Sequence, residues 1–182
     1  IDCRGLGAKA SLKQLRGVRG ELLLIETPEV NLAMPIRLMH PRHPIYIVPR
    51  QNNRFIVGAT SIESEDNRPV TVQSVLELLS AACTVHPGFA EAAIIENKVN
   101  CRPTLQNNLP SIICSDLKSS ANVISVNGLY RHGFLIAPKL AKLVLAFMNS
   151  GVVDSHYKML FQHSKQNNKL IEKGESTFAI SH

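Results

Sequence analysis

The sequence contains no tryptophan, and aromatic residues make up only 5% of its 182 residues. Its longest uninterrupted apolar run, residues 143–148, is six residues long, whereas a membrane-spanning helix needs about 20. No basic segment followed by an apolar one opens the chain, which we interpret as the lack of a secretory leader. These absences predict a protein that acts in the cytoplasm and does not bind a membrane.

Cysteine and histidine are present without the spacing of a metal site. No two of the four cysteines form a C-x-x-C pair. His40 and His43 are separated by a proline, so no helix presents both on one face. We therefore expect no metal, and we expect the cysteines to be small buried apolar side chains in a reducing compartment. They are Cys3, Cys83, Cys101 and Cys114.

The charge is positive, +6 from 20 basic and 14 acidic residues, which raises the question of nucleic acid. The basic residues are dispersed, and no aromatic stacking motif accompanies them. Nucleic acid is therefore disfavoured as a partner, and a small anionic ligand explains the charge equally well. A non-catalytic basic α+β module that binds an anionic partner, nucleic acid included, stays open as the alternative function.

The pattern of apolar residues predicts short strands and two helices, an α+β class. Thr71 is suited to cap a helix that ends near residue 85, and Pro138 is expected to open a second helix over residues 139–149. The polar segment 50–53 predicts a hairpin turn, and one more helix is predicted at residues 156–161. The last twenty residues are polar and are expected to carry no chemistry. The predicted strands are residues 20–26, 44–48, 54–57, 94–101 and 123–126.

Residues 5–10 match G-x-G-x-x-A, the fingerprint of dinucleotide binding. A genuine fingerprint follows a full hydrophobic strand, whereas only four residues precede this one. Taken alone, the motif indicates a small-residue loop that leaves a strand.

A more informative pattern consists of four ordered segments: Tyr-Ile-Val-Pro-Arg at 46–50, Phe-Ile-Val-Gly-Ala-Thr at 55–60, Cys-Arg-Pro-Thr at 101–104, and Gly-Leu-Tyr-Arg-His-Gly-Phe-Leu-Ile-Ala-Pro at 128–138. Arg102 precedes a proline at the end of a strand, so its backbone is restricted and its guanidinium is suited to clamp a carboxylate. The last segment runs through two glycines into a helix, whose first amides favour anionic or electron-accepting groups.

In these four segments the sequence resembles the FAD-dependent D-amino-acid oxidase family and, within it, the glycine oxidases of thiamine biosynthesis. The resemblance covers about residues 1–148 and identifies residues 2–8 with the strand and turn by which that family's chain re-enters its FAD domain. It implies a mainly antiparallel substrate-binding sheet plus C-terminal pieces of a Rossmann-like FAD domain whose N-terminal half is absent. The implied divisions are 1–10 (FAD domain), 11–121 (substrate domain), 122–148 (FAD domain) and 149–182 (extension).

The resemblance also implies roles for single residues. Arg102 matches the arginine that binds the substrate carboxylate, Tyr46 an active-site tyrosine, and Arg131 a second arginine near flavin and substrate. No acid–base side chain is demanded, because the reaction is transfer of a hydride from the α-carbon of the amino acid to the flavin. The loop that contacts the flavin ring is Leu129, Tyr130, Arg131, His132, Gly133, Phe134 and Leu135.

We therefore expect part of an enzyme that oxidises glycine or a small D-amino acid to the imine and reduces oxygen to peroxide. Its partners would be the amino acid, oxygen and the missing N-terminal half; a homo-oligomer stays open. Two departures from the family leave the size of the substrate undetermined. Residues 106–108 stand where an aspartate is common, and Ser61 stands where a bulkier residue is frequent.

Overall fold

The computed structural model describes residues 1–41, 44–115 and 123–163. Expectations for His43, for residues 116–122 and for residues 164–182 lie outside this part of the chain. The chain divides into two compact units, one formed by residues 17–101 and the other by residues 1–16 together with the chain from residue 102 onward. Each unit is described by itself.

Residues 17–101 build a sheet in which the order of the five strands is β2-β3-β4-β1-β5. The pairs β1–β4, β2–β3 and β3–β4 are antiparallel, which confirms the prediction of a mainly antiparallel sheet. The strands are β1 (Arg16–Glu26), β2 (Ile36–Leu38), β3 (Ile45–Arg50), β4 (Arg54–Gly58) and β5 (Ala93–Thr104).

The hairpin of β3 and β4 forms where the sequence predicts it. Asn52 and Asn53 have φ angles of 61° and 54°, a left-handed backbone that asparagine tolerates better than most residues. Pro49 was expected to end the strand but lies inside it, opposite Phe55. The neighbouring strand β2 pairs with β3 only as far as Ile47, so the proline interrupts no ladder on that side.

Helix α1 (Val72–Val85) covers one face of this sheet and confirms the first helix prediction. The hydroxyl of Thr71 accepts a hydrogen bond from the amide of Ser74 at 3.2 Å, which caps the first turn. Alternate residues of β1, among them Leu23 and Ile25, pack with Leu78 of the helix into the core. Among the residues of this unit that the structure describes, no helix packs on the opposite face of the sheet.

A buried ion pair extends the helix-covered face of β1. Arg19 and Glu21 are both almost completely buried, and the Nε of Arg19 donates to the Oε1 of Glu21 at 2.6 Å. Arg19 also donates to the carbonyl oxygens of Asp66 and Pro69, at 2.6 and 2.8 Å. The pair thus holds the segment that leads from β4 to α1. Hydrogen bonds from Arg68 lower the pKa of the Asp66 carboxyl in the same segment.

The second unit contains a three-stranded sheet of order β7-β6-β8. Its strands are β6 (Ser111–Cys114), β7 (Ile124–Asn127) and β8 (Phe161–His163). The central strand β6 pairs antiparallel with β7 and parallel with β8. A 3-10 helix, Ser155–Leu160, occupies the segment where one more helix was predicted at residues 156–161. Helix α2 (Gly133–Ser150) precedes it and ends at Gly151, whose φ is 67°.

The prediction that Pro138 opens the second helix is wrong, because α2 begins five residues earlier at Gly133. A proline inside a helix removes the hydrogen bond to the carbonyl four residues before it, here that of Phe134. Phe134 lies in the exposed first turn, where water can satisfy this carbonyl. The proline is therefore tolerated within α2.

Helix α2 packs on the sheet through Leu140, Leu143 and Val144, which form one core cluster with Ile112 of β6, and the ring of Phe147 lies 5.3 Å from that of Phe161 in β8. By length and composition alone, α2 is also the one helix among the described residues that could cross a membrane. The core helix of a globular protein meets the same criterion, but only 17% of this helix is buried, and its contact with β6 is made by one face.

The cysteines are all free thiols, but the expectation that they are buried holds only for Cys101. Cys3 is exposed, while Cys83 and Cys114 are half-buried. Burial raises the pKa of the Cys114 thiol, so this group stays protonated at neutral pH. The described residues contain no group of metal-ligating side chains.

The buried pair yields a stability prediction. Arg19→Met should reduce the free energy of unfolding by about 3–5 kcal/mol, because Glu21 would be left as a buried carboxylate without its cation. Adding Glu21→Leu should recover much of this loss, since the uncompensated charge is then gone. Chemical denaturation followed by circular dichroism measures both effects.

The matched control is the half-exposed pair Arg54–Glu26 of the same sheet, at 2.7 Å. Arg54→Met should cost less than about 1 kcal/mol because water screens that pair. A double variant at positions 19 and 21 no more stable than Arg19→Met would contradict the assignment.

Candidate functional site

The end of β5 carries the predicted carboxylate clamp. Arg102 is half-buried on this strand and is followed by Pro103, as the sequence analysis requires. The carbonyl of Pro103 accepts a hydrogen bond from the amide of Tyr130 at 3.2 Å. The bond joins the end of the strand directly to the predicted flavin loop, between residues that are 27 positions apart in sequence.

Gly128, the first residue of the segment that leads to this loop, has a φ of 78°. A Cβ atom at this position would lie 2.7 Å from Cγ of Leu105 and 3.1 Å from the carbonyl oxygen of Leu109. Both its backbone angle and its close neighbours therefore require glycine. Tyr130 has a φ of 48°, which is uncommon for a bulky residue and is often found at functional sites.

The buried side chain of Asn127 connects this segment to the N-terminal turn. Its Nδ2 donates to the carbonyl oxygen of Gly5 at 2.9 Å, and its Oδ1 accepts from the amide of Gly128 at 2.8 Å. Only 1% of Asn127 is exposed, so water cannot replace either bond. The asparagine therefore holds two chain segments together that are more than a hundred residues apart in sequence.

The N-terminal turn is the 3-10 helix Gly5–Ala8, which takes the place of the predicted small-residue loop. Asp2 precedes it and pairs with Ser125 of β7 in a parallel bridge. Hydrogen bonds from Arg4 lower the pKa of the Asp2 carboxyl to about 2, so it is ionised at neutral pH. The residues that match the family's re-entry into its FAD domain thus contact β7 and its following segment.

The departure from the family at residues 106–108 has a structural role. Asn108 has a φ of 59°, and its side-chain oxygen accepts from Arg16 at 2.9 Å. Arg16 also donates to the carbonyl oxygen of Leu105 at 3.1 Å. The loop after Arg102 is therefore held from inside its own unit, with asparagine in a left-handed position that suits it.

The start of α2 exposes two large apolar side chains. Phe134 is fully exposed and Leu135 is 81% exposed, so two large apolar side chains stand uncovered at the helix N-terminus. The first amides of a helix carry partial positive charge and point away from its body. Arg131 and His132 of this loop are exposed, while Leu129, Tyr130 and Gly133 are half-buried.

Tyr46 belongs to the other unit, on the face of the sheet that α1 leaves open. It lies opposite Arg37 of β2 and opposite Gly58 of β4, and Gly58 in turn lies opposite Leu22 of β1. Residues directly opposite each other point to the same side of a sheet. Tyr46 is half-buried, and its ring lies against Gly58, whose following peptide bond is cis.

The structure thus brings Arg102 and the predicted flavin loop into one unit and places Tyr46 in the other. Sequence reasoning missed the roles of Asn127, Leu105 and Gly58. The dipeptide Asn127–Gly128 is a turn signal that could have drawn attention to Asn127. Nothing local marks Leu105 or Gly58, because their importance comes from what packs against them.

Comparison with known proteins agrees with this geometry. The profile of the FAD dependent oxidoreductase family matches residues 1–146. A Rhizobium etli protein whose name assigns it as the thiamine biosynthesis oxidoreductase ThiO is 52% identical over 141 residues, which are 78% of this chain and 42% of that protein. A glycine oxidase of Geobacillus kaustophilus is 28% identical over 140 residues, or 76% of this chain and 36% of the relative.

Solved structures give the same picture. The crystal structure of glycine oxidase from Geobacillus kaustophilus superposes with a TM-score of 0.66 at 25% identity, over 83% of this chain and 40% of that one. Iminodiacetate oxidase from Chelativorans sp. BNC1 superposes with a TM-score of 0.69 at 23% identity, over 87% of this chain and 44% of that one. The second likeness concerns the fold alone.

Fold and loop define a flavin-dependent oxidoreductase. The chain belongs to the family of FAD-dependent oxidoreductases that contains the D-amino-acid oxidases, and its relatives include ThiO and glycine oxidase. FAD is the cofactor of this family. The chain spans less than half the length of each relative named above.

Asn127 provides a test of how the loop is held. Asn127→Ala should leave the buried amide of Gly128 without this partner, at a cost of about 1–3 kcal/mol, and the half-buried carbonyl of Gly5 without its donor, at a smaller cost. Asn127→Asp should keep the acceptor for Gly128 but lose the donor to Gly5. Thermal denaturation of the chain, and the amount of FAD that the full-length enzyme retains on purification, measure the consequences.

The exposed Asn97 of β5 offers the matched control. Asn97→Ala should change the free energy of unfolding by no more than about 0.5 kcal/mol. An Asn127→Ala variant as stable as this control would show that the two hydrogen bonds contribute nothing.

Proposed function

We propose that this chain is the C-terminal part of an oxidase that converts glycine or a small D-amino acid to the imine and reduces oxygen to hydrogen peroxide. We further propose that it serves the formation of the thiazole of thiamine in the cytoplasm, with no membrane or nucleic acid as partner. Its relatives carry the names ThiO and glycine oxidase, and these names support the proposal.

One observation carries the proposal. The hydrogen bond from the amide of Tyr130 to the carbonyl of Pro103 sets the residue after Arg102 directly beside the loop that enters α2. An amino acid whose carboxylate binds Arg102 would then lie close to whatever the start of α2 binds. Amino-acid oxidation needs this proximity between the bound carboxylate and the electron acceptor.

In the proposed mechanism, the residues of this chain act by binding and orientation. Arg102 holds the substrate carboxylate through a charge-assisted, bidentate contact. Arg131 and Tyr46 are proposed to complete the substrate site. The loop 129–135 and the first amides of α2 would hold the ring of FAD, whose chemistry when bound is to accept a hydride from the α-carbon and to pass the electrons to oxygen.

No side chain needs to move a proton in this scheme. The amine of the substrate must be neutral and its α-hydrogen must point at the acceptor, which is a problem of position. The partial positive charge of the α2 amides favours an electron-rich ring in front of the helix. These tasks agree with a site built from two arginines, a tyrosine and backbone amides.

The alternative, a basic module without catalysis, rests on the net charge of +6 alone. The match to the family over residues 1–146 favours the oxidase, because the matched segment includes every residue proposed for the site.

We expect the 182-residue chain by itself to bind FAD weakly or not at all. In Rossmann-like domains the pyrophosphate and ribose are held by the first strand–turn–helix, and residues 1–10 lack the strand that such a fingerprint needs. Loss of those contacts should remove most of the affinity. Titration of the purified chain with FAD measures this, and saturable binding at micromolar concentration or tighter would contradict it.

In the full-length enzyme, Arg102→Ala should raise the KM for the amino acid strongly, since loss of one member of a buried charge pair costs about 2–5 kcal/mol. Arg102→Lys should recover only part, because an ammonium cannot reproduce the planar fork. The flavin spectrum should change little. Arg131→Ala should affect both spectrum and turnover. Steady-state kinetics with glycine and with a larger D-amino acid measure these effects.

Arg68→Ala is the matched control, since Arg68 is exposed and contacts Asp66 at the surface. It should leave KM unchanged. If Arg102→Ala keeps both KM values within about twofold, which is less than about 0.5 kcal/mol, the carboxylate clamp is wrong.

A further inference from the structure

Gly58 occupies a strand position where glycine needs an explanation. It is the last residue of β4 and pairs with Tyr46 on one side and Leu22 on the other. Glycine inside a sheet weakens it, because it loses more conformational entropy on folding and packs no side chain. Its φ lies outside the left-handed region, so the φ angle at this position is open to other residues.

The explanation is the ring of Tyr46. A Cβ atom on Gly58 would lie 2.7 Å from the hydroxyl oxygen of Tyr46, 2.8 Å from Cζ and 3.0 Å from Cε2. Non-bonded carbon atoms in proteins pack at about 3.5–4.0 Å. The outer half of the tyrosine ring therefore occupies the volume that any other residue at position 58 would fill.

We propose that Gly58 is a positioning residue for the substrate site: it lets the ring of Tyr46 lie across β4 and so sets where the hydroxyl of Tyr46 is presented. This inference rests on the proposed function, in which Tyr46 contacts the substrate. Gly58 itself touches no substrate in this proposal and acts through Tyr46 alone.

The direction of the ring follows from the register. Tyr46 and Gly58 are directly opposite each other, at a separation of about 4.5–5.5 Å between neighbouring strands. A tyrosine ring is longer than this spacing, so over a glycine it can lie flat across the neighbouring strand. Over a residue with a side chain it must turn away from that strand.

The smallest change at this position is Gly58→Ala. The tyrosine can respond by rotating about its side-chain bonds, so displacement of the ring is the expected response. In the full-length enzyme, Gly58→Ala should therefore raise the KM for the amino acid about three- to tenfold, the range expected for residues in contact, and should lower kcat less. The same variant should lower the Tm.

A double-mutant cycle separates the ring from the hydroxyl. In a Tyr46→Ala background the ring is gone, and adding Gly58→Ala should change neither KM nor Tm further. In a Tyr46→Phe background the ring remains, with Cζ and Cε2 still too close, so Gly58→Ala should still lower the Tm. Tyr46→Phe is thus the matched control for Tyr46→Ala.

Each outcome of these experiments either supports the inference about Gly58 or overturns it. Effects of Gly58→Ala that persist in the Tyr46→Ala background, or a KM unchanged by Gly58→Ala, overturn the inference. If Gly58→Ala fails to fold while Gly58→Ala/Tyr46→Ala folds, the steric contact is supported; if both fail, the requirement lies in the backbone and the inference is wrong. A parent enzyme that oxidises no amino acid would overturn the proposed function and this substrate role with it, whereas an active parent with additive effects overturns this inference alone.

Discussion

The side-chain amide of Asn127 is the interaction on which the arrangement of the candidate cofactor loop depends. It binds the carbonyl of Gly5 with its nitrogen and the amide of Gly128 with its oxygen. Because the amide of Gly128 is buried, it could not exchange this partner for water at low cost. The side chain of Asn127, together with the backbone bridge between Asp2 and Ser125, therefore holds the turn at the start of the chain, the end of β7 and the entry to α2 in one arrangement.

Around this amide, the backbone takes conformations that few residues adopt. Gly5, Asn108, Gly128 and Tyr130 all have positive φ angles. Two are glycines and one is asparagine, for which the cost is small, whereas a left-handed backbone at a bulky residue such as Tyr130 costs about 1–3 kcal/mol. The bond from the amide of Tyr130 to Pro103 offsets part of that cost and links the loop to Arg102. The proposed substrate and flavin contacts of this unit thus share one network of backbone bonds.

In the sheet of residues 17–101, the position of the Tyr46 side chain is set by side-chain volume and not by hydrogen bonds. One face is closed by α1 and by the Arg19–Glu21 pair, and it holds the core. The other face carries Tyr46, whose ring rests on the bare backbone of Gly58. A closed face keeps the sheet rigid, so that the open face can present a side chain in a defined place.

Much of the local structure could be read from the sequence, because local chemistry decides it. The cap at Thr71, the end of α1 near residue 85, the Asn-Asn turn of the hairpin and the end of α2 near residue 149 each follow from residues adjacent in the chain. The ordered segments that carry Tyr46, Arg102 and Arg131 likewise pointed to the family before any contact was known. Local patterns failed at Pro49 and Pro138, where the missing partner strand and the exposed first turn made a proline harmless. They also failed for Asn127, Leu105 and Gly58, since the constraint on each comes from atoms brought close by folding: Gly5, Gly128 and the ring of Tyr46.

Residue types and their order were sufficient to define the elements and the chemistry, whereas only the packing of distant segments decided which small or polar residues hold the site in place.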